Sequence, residues 1–77
     1  MDHVAISRPG TIIEYRMDGH RIKVYTSDRT IIGKLKGLMK ESRGYFKVRC
    51  QKKNSVGRTT YLYVVAPRWV LKEIAWE

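Results

Sequence analysis

Cysteine, proline and the side-chain amides are almost missing from this chain: one Cys, two Pro, one Gln and one Asn among 77 residues. The lone Cys50 rules out an internal disulfide, and with only His3 and His20 beside it there is no ligand set for a structural zinc. Acidic residues are also few, seven against sixteen Lys and Arg, and they are scattered singly. Metal-dependent phosphoryl chemistry wants clustered carboxylates, so the pattern speaks against it. No Ser-His-Asp or Cys-His arrangement emerges either, because alternation with Arg49 points Cys50 inward and neither histidine falls in a predicted strand. The chain reads as a non-enzyme without cofactor or metal. No apolar run approaches the roughly 20 residues that span a bilayer, and no basic start with an apolar core resembles a signal peptide. A cytoplasmic protein without a membrane partner is the expectation.

What the chain does contain is enough for one compact domain, residues 1–77, with 43% hydrophobic and 30% charged residues. A chain this short buries only about 60–65% of the surface that its unfolded form exposes, which leaves no room for a large enclosed catalytic cavity. The formal net charge is +9. Such a field attracts polyanions before any specific contact forms, and nucleic acid is the first partner to consider. A small basic core without staples gains stability by self-association. The scarcity of Gln51 and Asn54 amides, set beside abundant Lys and Arg, leans toward a thermophilic source.

Residues 1–10 show no sustained period and predict a flexible arm ending at the Pro9-Gly10 turn. Thr11 with Glu14 three residues on fits a capping box, which predicts one or two helical turns up to Met17, closed by Asp18-Gly19. Period-2 alternation then predicts strands over 21–26, 30–38, 45–51, 59–65 and 69–76. Gly33 and Gly37 fall inside the second of these, where glycine marks a bulge or a sharp bend. Five short antiparallel strands, one strongly bent, predict an all-β fold: a small five-stranded antiparallel barrel of SH3-like type with a short N-terminal helix.

Arg8-Pro9, the short helical stretch and the run Ile22 to Leu38 with its Gly33-x-Leu35-x-Gly37 resemble the opening and first motif of Sm-like (LSm) proteins of archaeal type. The resemblance spans about residues 8–76. Its second motif is looser: Ala66-Pro67-Arg68 stands where the family has Ile-Arg-Gly, with Leu71 and Ile74 at the matching apolar positions. The resemblance implies a homo-oligomeric ring of six or seven subunits, closed by pairing of the fourth and fifth strands between neighbours. It also implies single-stranded RNA binding as a scaffold or chaperone in RNA metabolism. Met39 stands where the family has Asp, and Arg43-Gly44 where it has Met-Asn, so the uridine pocket of the family is not carried over intact.

The candidate RNA-binding residues are Lys40, Arg43 and Tyr45, a charged lip with an aromatic platform, and Arg68, whose backbone Pro67 constrains. Lys52, Lys53 and Arg58 in the basic hairpin loop are candidates for nonspecific phosphate contacts. Tyr61, Tyr63 and Trp69 supply more aromatic area than one small core encloses and are candidates for the subunit interface. Lys34, Lys36, Lys47 and Arg49 read as the wet face of the barrel. Two rival readings share the composition: a monomeric SH3-like barrel binding duplex DNA as a chromatin or regulatory protein, and an assembly module whose charge only aids solubility.

Overall fold

A computed structural model describes residues 3–16 and 19–74. Its strands are β1 (His3–Arg8), β2 (Thr11–Arg16), β3 (Arg21–Thr26), β4 (Lys47–Lys53) and β5 (Thr59–Pro67). Helix α1 (Arg29–Glu41) and a single 3-10 turn at Arg43–Tyr45 lie between β3 and β4, and the short helix α2 (Val70–Glu73) follows β5. The strands form one antiparallel sheet in the order β1-β2-β3-β5-β4; the count of five antiparallel strands is as expected, but only β3, β4 and β5 fall where strands were predicted. No described helix is long and apolar enough to cross a membrane.

The segment read as an arm is β1. Pro9 and Gly10 close its hairpin with β2, proline setting the first corner and Gly10 taking the left-handed conformation at φ 79°. The helix expected from Thr11 is instead β2, because Thr11, Ile13 and Tyr15 face the core while Ile12, Glu14 and Arg16 face away, a period of two. The Thr11 hydroxyl meets that of Thr26 at 2.8 Å, so it is not free to cap a helix. The expected ends at Met17 and Trp76 lie outside the described residues.

The largest correction concerns 30–38, predicted as a bent strand and found as α1. Ile31, Ile32, Leu35, Leu38 and Met39 recur at helical spacing and pack on the core. Asp28 starts the helix by accepting from the Thr30 and Ile31 amides at 2.8 and 3.3 Å. Gly33 and Gly37 cost the helix about 1 kcal/mol each relative to alanine. Burying Ile32 and Leu35 outweighs that, at about 1.5–3 kcal/mol per enclosed aliphatic side chain. The predicted strand 69–76 likewise becomes α2, with Val70, Leu71 and Ile74 buried.

The sheet is open, with β1 and β4 as its edges, and the closed barrel is not what these strands build. Without a bent strand at Gly33 and Gly37 nothing curls the sheet onto itself; helices cover one face instead. Ile32, Leu35, Val70, Leu71 and Ile74 join Ile13, Ile22, Val24, Leu62, Val64 and Ala66 in one buried cluster. Both helices therefore lie on the same side. Lys36 Nζ donates to Thr59 Oγ1 and ties α1 to β5. No described element covers the other side.

Candidate nucleic-acid interface

Strand register decides which side chains share that uncovered face. On β5 they are Tyr61, Tyr63, Val65 and Pro67, the alternates of buried Leu62, Val64 and Ala66. Cross-strand partners carry the same face outward: Tyr25 opposite Tyr63, Lys23 opposite Val65 and Arg21 opposite Pro67 on β3; Ile12 opposite Tyr25 and Glu14 opposite Lys23 on β2. Lys52, Cys50 and Lys47 stand beside Tyr61, Tyr63 and Val65 on β4.

A bulge determines which β4 residues reach it. Val48 pairs with Val64 and Cys50 with Tyr63, so Arg49 is an extra residue and the alternation shifts by one. Cys50 is therefore exposed on the open face, not inward as its alternation with Arg49 suggested.

The result is an aromatic centre with a cationic surround. Tyr25 and Tyr63 stack with ring centroids 4.2 Å apart and planes 22° from parallel. The Lys52 ammonium lies 5.7 Å from the Tyr61 ring centroid. Arg21, Lys23, Lys47 and Lys52 are exposed, as is Arg16, and Glu14 is the sole acid among the described strand residues. Glu14 Oε1 accepts the Tyr25 hydroxyl at 3.0 Å. A hydrogen bond with the Tyr63 side chain, then burial, then Glu14 hold the Tyr25 hydroxyl above the usual tyrosine range, so it keeps its proton and donates. Planar rings and positive charge at spacings of about 5 Å between strands suit a chain that alternates flat bases with phosphates.

The four residues expected to hold RNA do not converge. Lys40 and Arg43 line a groove of about 750 Å³ with Lys36, Met39, Phe46 and Val48, on the helical side. Tyr45 and Arg68 share a different recess of about 430 Å³ with His20, Arg21 and Trp69 at the end of the sheet. The Arg68 guanidinium sits 5.1 Å from the ring centroid of Tyr15, which faces the covered side, and its amide donates to the His20 carbonyl at 3.0 Å. Tyr45 is 64% exposed and available to a ligand.

Of the residues expected to touch phosphate, Lys52 lies on the open face, while Lys53 stands opposite Thr59 on the helical side. Arg58 lines a recess with Arg29, Gly33, Lys36 and Val56. Tyr61 and Tyr63, expected as subunit contacts, are half-buried at the centre of the open face, and Trp69 packs edge-on against Phe46 at 6.1 Å. Sequence reasoning missed Ile12, Glu14, Arg21, Lys23, Tyr25 and Lys47 as site residues. The signal for Arg21, Lys23 and Tyr25 was their alternation with Ile22 and Val24 on β3; it gained meaning only once β3 was placed beside β5.

Compared with known proteins, the chain has no match: no family model, no curated protein and no solved structure aligns with it.

Proposed function

We propose that this protein binds single-stranded RNA across the open face of its sheet, holding unpaired strands as a scaffold or chaperone in RNA metabolism. The observation that carries the reading is the group Tyr25, Tyr61 and Tyr63, half-buried on an uncovered face and flanked by Arg21, Lys23, Lys47 and Lys52. Bases stack on the rings and phosphates meet the cations. Each stacked base contributes about 1–3 kcal/mol, independent of its identity. A duplex keeps its bases inside the helix and offers these rings nothing to stack on, which favours the single strand. The Gly33-x-Leu35-x-Gly37 part of the Sm-like resemblance lies in α1 and not in a bent strand, so the reading stands on the sheet face.

Self-association, if the chain relies on it, has one suitable edge. β4 carries Lys47, Arg49, Lys52, Lys53 and a bulge, features that discourage strand addition, whereas Val4 to Ser7 of β1 carry no charge. Antiparallel pairing of two β1 strands is isologous and closes at two copies, so this edge predicts a dimer where the Sm-like resemblance implies a ring.

The test is fluorescence anisotropy with a labelled oligouridine and a duplex of equal length across a salt series. Four phosphate contacts predict a slope of log affinity against log salt of about −3 for the single strand. Tighter binding of duplex DNA, or a flat salt dependence, contradicts the reading.

A further inference from the structure

Beside the tyrosines, at the β1–β2 turn, the open face dips into a cleft of about 710 Å³ whose lining includes Arg8, Ile12, Glu14, Tyr25, Ser27 and Tyr61. Three of its features are unusual together. Ile12, in its lining, leaves 45% of its surface exposed. Two tyrosine rings stand at the cleft. The carboxylate is the sole acid on any described strand, and it sits where its charge repels the phosphates that the rest of the face attracts.

We infer that this cleft is a base-selecting subsite, and that Glu14 reads the edge of an unpaired guanine; the inference rests on the RNA-binding reading. An ionised carboxylate only accepts hydrogen bonds, through two oxygens with about four lone-pair sites. The hydroxyl of Tyr25 takes one of these at 3.0 Å, which orients the group and leaves the remainder for a ligand. Guanine presents adjacent N1–H and N2–H donors on its Watson–Crick edge, a parallel pair that matches the two oxygens. Cytosine and adenine offer one donor beside an acceptor nitrogen, which a carboxylate repels. Uracil sets its single N–H between two carbonyl oxygens. Only guanine turns the unfavourable charge of Glu14 into two charge-assisted hydrogen bonds. Ile12 and the tyrosine rings supply apolar contact for the purine faces.

The experiment compares RNA heptamers of uridine with guanosine, adenosine, cytidine, inosine or uridine at the centre. The guanosine heptamer is expected to bind about five- to a hundredfold more tightly than the other natural ones, the range of a paired hydrogen-bond contact to a base. Inosine, which lacks the N2 amino group, loses most of that advantage. Glu14→Gln brings the guanosine heptamer down to the affinity of the uridine heptamer, with Glu14→Ala as a second variant and urea denaturation to confirm folding. Equal affinity for all heptamers in the unaltered protein, or a guanosine preference that survives Glu14→Gln, overturns the inference while leaving the sheet face as the RNA site. Binding to none of them overturns the RNA reading and the subsite with it.

Discussion

Tyr25 and Tyr63 stand directly opposite each other on neighbouring strands and stack at 4.2 Å, making a pair at the centre of the uncovered face in which each ring covers one face of the other. Replacing one ring removes half of it. Tyr63→Leu is expected to weaken oligouridine binding by about five- to 150-fold, equivalent to about 1–3 kcal/mol of lost stacking. The loss of the aromatic pair lowers stability by about 1 kcal/mol, read from urea denaturation. Unchanged affinity removes Tyr63 from the interface.

The same pair gives a pH dependence. The Tyr63 side chain, burial and Glu14 raise the Tyr25 hydroxyl above its unfolded value of about 10. Its contribution to stability is therefore complete below about pH 10 and is lost as the pH rises toward the higher folded value. Between about pH 9 and pH 11 the protein should lose more resistance to urea than Tyr25→Phe, which has no hydroxyl to titrate. Equal losses in the two proteins contradict the raised value.

Gly33 and Gly37 report on the fold. A methyl group added at either meets nothing within 4 Å. Gly33→Ala and Gly37→Ala should each stabilise α1 by up to about 1 kcal/mol. In a domain of this size that raises Tm by about 4–8 °C, measured by thermal melting. A strand that needs glycine at a sharp bend would be destabilised by the same substitutions.

The uncharged edge at β1 has its own test. Light scattering at micromolar concentration should show a dimer, and Ala5→Lys with Ser7→Lys should return it to a monomer by placing charge along the pairing edge. A monomer before substitution removes the proposed pairing, and an assembly of six or seven copies restores the ring.

β3, β4 and β5 were legible in the sequence because Ile22 and Val24, Phe46 and Val48, and Leu62 and Val64 alternate with outward residues and no helical period competes. α1 was not. Thr30, Ile31 and Ile32 give its first turn a strand-like local preference, and the core-facing stripe through Leu35, Leu38 and Met39 emerges only over the full 13 residues. With α1 taken for a strand, nothing marks Asp28 as a helix cap or β5 as the neighbour of β3. The candidate site depends on that pairing. Tyr61 and Tyr63 were singled out as subunit contacts for their aromatic area and Lys52 as a phosphate contact in a basic loop, but Tyr25, Lys23 and Arg21 join them only across a β3–β5 contact separated by about 40 residues. The bulge at Arg49, which sends Cys50 outward, has no marker such as glycine in β4.

Two charge-reversed variants of equal net charge separate a specific face from a general positive field: Lys23→Glu with Lys47→Glu on the open face, and Lys34→Glu with Lys40→Glu on the helical side. All four lysines are exposed, so both proteins should fold. Oligouridine affinity at a single fixed salt concentration is expected to fall at least about tenfold further for the open-face pair, because its charges meet phosphate directly. Equal losses, or a greater loss for the Lys34 and Lys40 pair, would place the RNA elsewhere and contradict the sheet-face reading.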